Sequence, residues 1–306
     1  MTTDSDTAWA TTTVAVTGAT GRQGGATVRR LLAAGRPVRA LVRDSAAPAA
    51  VALAQAGAEL AVADFDEPSG LERALAGTGA LFAVPPVAYG PAGGDEELEF
   101  ARGRALADAA AAVGIRQVVF TGVASTSGAA FAAPGKRRIE RYLHERIPLV
   151  TVLRPVRFMT NYLGTAVAGL DGVRDGVHRH LFTPDAPLQI IALEDIAEFA
   201  ALAFEQPDRF AGRTLELAGD DLTPVEAAAA ISAATGIAVR YEQVTHDEAA
   251  ALNPDFADIR RQWDAGHRWH ADIEALRVIH PGLRTLADWL AESGAAALRA
   301  RLLGTP

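Results

Sequence analysis

Gly18, Gly21 and Gly24 recur at every third position directly after a β-rich apolar run, Thr13 to Thr17, and at the mouth of a helical segment from Gln23 to Ala34. In that setting Gly18 permits a tight turn, Gly21 lets backbone approach a pyrophosphate, and Gly24 lets the helix pack closely on the strand. The helix N-terminus then offers N–H groups to phosphate oxygens. Thr20, Arg22 and Gln23 stand between the glycines and are read with them as cofactor-contacting positions. The spacing differs from G-x-G-x-x-G but meets the same mechanical requirement, and no Gly-Lys-Ser/Thr ending follows, which excludes a P-loop. The competing reading is a Gly-rich turn with no ligand.

The end of the second strand separates NAD from NADP, because an acidic residue there binds ribose hydroxyls and an Arg accepts a 2′-phosphate. Arg43 holds this position, Arg22 offers a second positive contact, and Asp44 stands close enough to pair with Arg43 as an ordinary surface couple. NADP(H) is therefore the expected cofactor. Asp64 and Phe65 follow the third strand, where Asp64 would accept an adenine amino proton or else cap its own loop. Pro85 closes the fourth strand, on the nicotinamide side, and fixes the backbone there.

The elements that position these residues alternate regularly. Strands are expected at Pro37 to Val42, Ala58 to Ala63, Ala80 to Val84, Gln117 to Thr121 and Leu149 to Leu153. Helices between them are expected at Ala46 to Ala56, Ser69 to Ala76, Glu96 to Val113 and Lys136 to Glu145. Apolar strands separated by helices, several ending on Gly, describe βαβ units and a Rossmann-like doubly wound parallel sheet, an α/β fold. The second half is less regular: a helix after Arg157, strands at Leu188 to Ala192, Thr214 to Leu217 and Val239 to Gln243, and a capping box at Thr223 with Glu226. It reads as a smaller C-terminal α/β lobe for substrate, residues 157–306, built onto a nucleotide-binding domain of residues 12–156, with the strand at 188–192 a candidate to rejoin the sheet.

The 306 residues carry 29 basic and 37 acidic side chains, a formal charge of −8, and no Cys. Zero Cys excludes disulfide scaffolds, thiolate metal sites and Cys nucleophiles. The acidic balance argues against direct nucleic-acid binding. No stretch has the length of a membrane span and no signal peptide is read at the start, so a cytoplasmic protein is expected. His267, His270 and Asp272 match no zinc pattern, and no metal is expected. Trp263 and Trp269 are read as shaping the substrate lobe. His178 and His180 alternate around Arg179 on one strand face, where they line the cleft or face water.

The runs Thr13–Gly25, Val38–Asp44, Phe120–Ser125, Gly135–Leu143, Thr151–Asn161 and Pro281–Leu290 together resemble the NmrA-like proteins, atypical members of the short-chain dehydrogenase/reductase superfamily. The resemblance extends from Thr13 to about Leu290. It implies a Rossmann-like domain with a small C-terminal lobe, and a family of NADPH-preferring quinone and related reductases together with cofactor sensors and transcriptional co-regulators. It matches Gly18, Gly21 and Gly24 to phosphate binding and Arg43 to the basic residue after strand two. Pro155 to Phe158, including both named ends, match the segment passing the nicotinamide, and Asn161 a polar residue of the cleft. Lys136, the single lysine of the chain, matches a lysine near the nicotinamide ribose or substrate.

In standard members of the superfamily a Tyr stands four residues before that Lys, on the same helix face. Here that position is Ala132, so the pair is absent. Lys136 is then the candidate to stabilise negative charge, and Tyr89, Ser125, Ser127 and Tyr162 are the candidate acids. The sequence is read as an NADPH-dependent reductase of a small quinone, enone or carbonyl-type substrate. The alternatives are a non-catalytic NADP(H)-binding sensor, acting as a homodimer or with a protein partner, and an atypical reductase of specialised metabolism.

Overall fold

The computed structural model describes residues 12–86, 89–90, 93–126, 133–164 and 170–304. Strands β1 (Val14–Val16), β2 (Val38–Val42), β3 (Glu59–Val62) and β4 (Ala80–Ala83) alternate with helices α1 (Arg22–Ala33), α2 (Pro48–Gln55) and α3 (Pro68–Leu75). Helix α4 (Glu96–Ala112), strand β5 (Gln117–Thr121), helix α5 (Pro134–Arg146) and strand β6 (Leu149–Pro155) continue the alternation. Every residue of β1, β4 and β5 is buried, as strands covered by helices on both faces must be. The pairs β1–β2, β2–β3, β1–β4, β4–β5 and β5–β6 are all parallel.

The sheet runs in the order β11-β6-β5-β4-β1-β2-β3, where β11 is Thr214–Leu217. The chain leaves β1 towards β2 and β3, then returns to its other side through β4. That reversal opens a crevice at the carboxyl end of β1, the place where doubly wound sheets bind ligands. The core beneath it is made by Leu41, Leu71, Leu81, Leu106, Val118, Phe120 and Val152 among others.

The chain forms two units. One takes the chain up to Val123, with Ala133–Arg154 and Ile196–Leu215; the other begins at Ala124 and resumes with Pro155–Asp195 and from Glu216 onward. The expected division at residue 156 is thus not a single cut, because the chain returns to the first unit through helix α6 (Leu193–Glu205). The strand that joins the large sheet is β11 and not the segment 188–192. Strand β10 (Leu188–Ile191) instead pairs with β7 (Arg157–Phe158) and β12 (Asp220–Leu222) in a separate three-stranded sheet. Its place beside β6 is taken by β11, through Val152 N–H to Arg213 O and Val156 N–H to Leu217 O.

A second small sheet holds β8 (Val173–Arg174), β9 (Val177–His180) and β13 (Arg240–Gln243). The helix expected after Arg157 is a short 3-10 turn, Met159–Leu163. Helix α7 (Pro224–Thr235) carries the expected capping box of Thr223 and Glu226. Residues 254–264 and 286–289 supply Trp263 and Trp289, both buried.

Candidate functional site

The Gly-rich turn is built by steric exclusion. A Cβ on Gly24 would stand 2.2 Å from the Gly18 carbonyl oxygen, so α1 approaches β1 as only glycine permits. Gly18 has φ +58, and a Cβ there would meet the Val84 Cβ at 3.3 Å. Thr17 Oγ1 accepts the Val84 N–H at 2.7 Å, tying the ends of β1 and β4 together across the crevice. Gly21 forms the N-cap of α1, with no side-chain cap and no acidic residue in the first turn. First-turn N–H groups and a positive dipole end thus point out of this turn, an arrangement suited to a pyrophosphate. Gln23 has a different task from its neighbours Thr20 and Arg22, both exposed at the turn. Its Oε1 accepts the Thr121 hydroxyl at 2.7 Å, anchoring the turn to the end of β5.

At the end of β2, Arg43 is exposed. Asp44 does not pair with it: the Asp44 carboxylate accepts the Ala46 N–H at 2.8 Å and forms its own turn. At the end of β3, Asp64 likewise accepts the Asp66 N–H at 3.0 Å through Oδ1, the loop-capping alternative to an adenine contact. Phe65 packs against the core and lines a depression of ≈ 370 Å³ together with Asp66, Leu98 and Arg102. Pro85 is buried just past β4. Tyr89 lies in a two-residue strand paired with Gly93–Gly94. Ala132 and Ser127 lie outside the described residues.

Lys136 is the third residue of α5, after Ala133 in a left-handed conformation and Pro134. A cation in the first turn of a helix opposes the dipole, and the compensating charge comes from Glu99 on α4. Lys136 Nζ stands 2.9 Å from Glu99 Oε1, with the two side chains 10% and 9% exposed. Gly135 makes room for the carboxylate, since a Cβ there would meet Glu99 Oε2 at 2.6 Å. Lys136 is therefore held by a buried ion pair that sequence reading missed.

Ser125, four residues past β5, is also partnered. Its hydroxyl donates to Glu216 Oε1 at 2.6 Å, and its N–H donates to Glu216 Oε2 at 2.9 Å. Both donors of Ser125, expected as a candidate acid, are thus directed at one carboxylate.

The remaining expected residues belong to the second unit. Arg157 donates to Asp171, whose backbone is left-handed at φ 72, and Asn161 Nδ2 donates to the same carboxylate at 2.6 Å. His180 Nε2 lies 3.2 Å from Asp171 Oδ1. Despite burial, Arg157 and His180 beside it hold the Asp171 carboxyl well below the usual range. Tyr162, expected as a proton donor, is instead 1% exposed, with its ring edge-on to His178 at 5.0 Å and the Arg157 guanidinium 4.1 Å over its face. Burial pushes its phenol up, so it suits packing better than proton transfer.

His178, expected at the cleft or in water, is fully buried, and neither ring nitrogen has a hydrogen-bond partner among the described residues. Burial and the nearby Arg157 hold it neutral, well below the ordinary histidine range. Trp263 and Trp269, expected to shape the substrate lobe, pack edge-on at 5.6 Å with Phe182 against both. Phe158 is half-buried on β7, and Pro155 ends β6. Among the described residues no cluster of three or more His, Asp or Glu is arranged to hold a metal ion, and no helix is long and apolar enough to cross a membrane.

The model of the NmrA-like family matches residues 10–267. The chain belongs to the NmrA-like family. It is 29% identical over 297 residues to (4-alkanoyl-5-oxo-2,5-dihydrofuran-3-yl)methyl phosphate reductase of Streptomyces griseus subsp. griseus, covering 92% of this chain and 98% of that one. It is 32% identical over 244 residues to the NAD(P)H azoreductase of Xenophilus azovorans, covering 77% and 78%. Among solved structures, NmrA, a negative transcriptional regulator in complex with NADP, superposes with a TM-score of 0.73 at 19% identity over 95% of this chain and 98% of that one. The last shows a shared fold, and the NmrA-like architecture accounts for both the seven-stranded sheet and the added α/β elements.

Proposed function

We propose that this NmrA-like protein is an NADPH-dependent oxidoreductase that reduces a small, electron-poor acceptor of the quinone, enone or carbonyl type. The observation that carries the reading is the Gly24–Gly18 contact, which leaves no room for a side chain and sets an uncapped α1 N-terminus at the mouth of the β1–β4 crevice. Gly18, Thr20, Gly21, Arg22 and Gly24 would hold the pyrophosphate, Arg43 the 2′-phosphate, and Asp64 and Phe65 the adenine side. Pro85 and Lys136 would bound the nicotinamide end. When bound, the nicotinamide supplies hydride.

The chain's own residues supply orientation. Gln23 and Thr17 fix the turn, and Glu99 pairs with Lys136, whose ammonium would position a ribose hydroxyl or a substrate oxygen. The relatives named as reductases and as an NAD(P)H azoreductase support hydride chemistry at this fold, although this chain has Ala132 where the usual acid stands.

NADPH oxidation followed over a panel of quinones, enones, imines and aldehydes tests the proposal. Turnover of any acceptor supports it. Tight NADPH binding with no turnover of any acceptor overturns it in favour of a cofactor-sensing regulator, the reading that likeness to the regulator NmrA and the absent tyrosine would then support.

A further inference from the structure

The Gln23 carboxamide has two ends, and the tie to β5 uses one of them. Oε1 accepts the Thr121 hydroxyl at 2.7 Å, while Nε2, which carries two N–H donors, has no hydrogen-bond partner among the described residues. We infer that Gln23 Nε2 is a donor to the phosphate on the nicotinamide half of the dinucleotide, and that Thr121 is the positioning residue that aims it. This rests on the NADPH reading above and deepens it to one side-chain contact.

Three observations carry it, all within the first unit. First, the hydroxyl decides which way the amide faces. With the Thr121 proton directed at Oε1, the nitrogen end turns away from β5. Thr121 is the last residue of β5 and 1% exposed, so the strand holds its hydroxyl in place. Second, Gln23 is the second residue of α1. Its own N–H lies in the first turn, with no carbonyl four residues back inside the helix, and helical side chains lean towards the N-terminus. Main chain and side chain of one residue thus bring donors to the helix end that suits a pyrophosphate. Third, the strand order sets β5 and β2 on opposite sides of β1. Arg43, at the end of β2, marks the adenosine half, so a group tied to the end of β5 stands towards the nicotinamide half.

Thr121 touches no ligand in this arrangement and acts through Gln23 alone. Gln23 is half-buried, where solvent screens a contact with a phosphate less than at the surface.

The test titrates NADPH and adenosine 2′,5′-bisphosphate into the protein by calorimetry; the bisphosphate keeps the adenosine half and lacks the second phosphate. Gln23→Ala is expected to weaken NADPH by about tenfold, the size of a hydrogen bond to a charged group, and to leave the bisphosphate unchanged. Gln23→Glu still accepts the Thr121 hydroxyl, so it is expected to keep the native melting temperature. It is expected to lose more NADPH affinity than Gln23→Ala, because a donor becomes a negative charge facing a phosphate. Thr121→Val, which keeps the shape of the side chain, is expected to lose part of that factor in the native chain and nothing in the Gln23→Ala background. A circular-dichroism melt separates a folding defect from a binding defect, and the Thr121→Val comparison carries the test if Gln23→Glu does not fold. Equal losses of the two ligands in Gln23→Ala overturn the inference and leave Gln23 as a strut of the turn. Native-like NADPH binding by Gln23→Glu also overturns it, since a ribose hydroxyl could donate to that carboxylate and a phosphate could not. A Thr121→Val loss that persists undiminished in the Gln23→Ala background overturns the positioning role. No NADPH binding by the native chain overturns this inference together with the cofactor reading, whereas NADPH binding in the expected pattern without turnover supports it and removes the reductase reading alone.

Discussion

Single residues at the crevice make sharp expectations because their tolerances are small. Gly24→Ala puts a carbon where the Gly18 carbonyl oxygen already stands, so α1 must move off β1. Overpacking of this kind costs about 1–3 kcal/mol, and a displaced α1 N-terminus no longer meets the phosphates; a melt combined with NADPH titration is expected to show lower stability and no binding. Arg43 is exposed and Asp44 is occupied with its own turn, which leaves the guanidinium to a ligand. Arg43→Ala is expected to weaken NADPH by about tenfold or more, the loss of a charged hydrogen bond, and to leave NADH nearly unaffected. Equal effects on the two cofactors would sink the 2′-phosphate role. The Lys136–Glu99 pair is nearly closed off from water. Glu99→Leu strands a buried ammonium and is expected to cost about 3–5 kcal/mol. Adding Lys136→Met to it is expected to recover much of that loss in denaturant titrations, and additive costs would show that the two groups do not act as a pair.

Elements differ in how openly the sequence declares them. Strands β1, β4 and β5 were legible because each is an unbroken apolar run between turn residues, and α1 because the glycines mark its start. The partners that finish the site were not legible, since their spacing obeys no local period. Thr121 meets Gln23 across 98 positions, and Ser125 meets Glu216 across 91; only the fold brings such pairs together. The alternation of His178 and His180 on β9 was visible, but their burial depends on β13 and on the Asp171 turn. The late Pro281–Leu290 motif is a similar case. It resembled the family by its letters, and its physical content is that Arg284 reaches Asp195 in the first turn of α6. The Arg284 guanidinium and backbone N–H bind that carboxylate at 2.6 and 3.0 Å, and Asp195 is fully buried. Thr285 and Asp288 then cap the following helix reciprocally. Arg284→Met is expected to destabilise the protein by about 3–5 kcal/mol, because a buried carboxylate loses its counter-charge, whereas Thr285→Ala is expected to cost about 1 kcal/mol, the value of a cap. Similar losses in the two variants would mean that the clamp acts through packing and not through charge.

At the scale of the whole molecule the two units answer to different perturbations. The phosphate turn, Arg43 and Lys136 belong to the first unit, while the Asp171–His178 network and all three described tryptophans, Trp263, Trp269 and Trp289, belong to the second. The fluorescence of these three, read in a Trp9→Phe background, therefore follows the unit that holds His178. The sign of its pH response follows from linkage. His178 is held neutral in the folded state, whereas an unfolded histidine takes a proton near pH 6.5. Above that pH both states are neutral and the group is indifferent. Below it the unfolded chain binds a proton that the folded one refuses, and stability falls by up to about 1.4 kcal/mol per pH unit until the depressed folded pKa is reached. Asp171, also held low, adds its own loss only at more acid pH, below the ordinary carboxylate range. His178→Phe removes the imidazole and its two unpartnered nitrogens, and the site is already ringed by Tyr162 and Tyr241. The variant is expected to be at least as stable as the native protein at pH 7 and to lose about 1.4 kcal/mol per unit less between pH 6 and 5 in fluorescence-detected denaturant titrations. NADPH at a hundred times its Kd is expected to add about 2.7 kcal/mol to the state that binds it, at either pH and in either variant. Parallel pH slopes for His178→Phe and the native chain would show that acid acts elsewhere, and would return His178 to the role of an ordinary core ring.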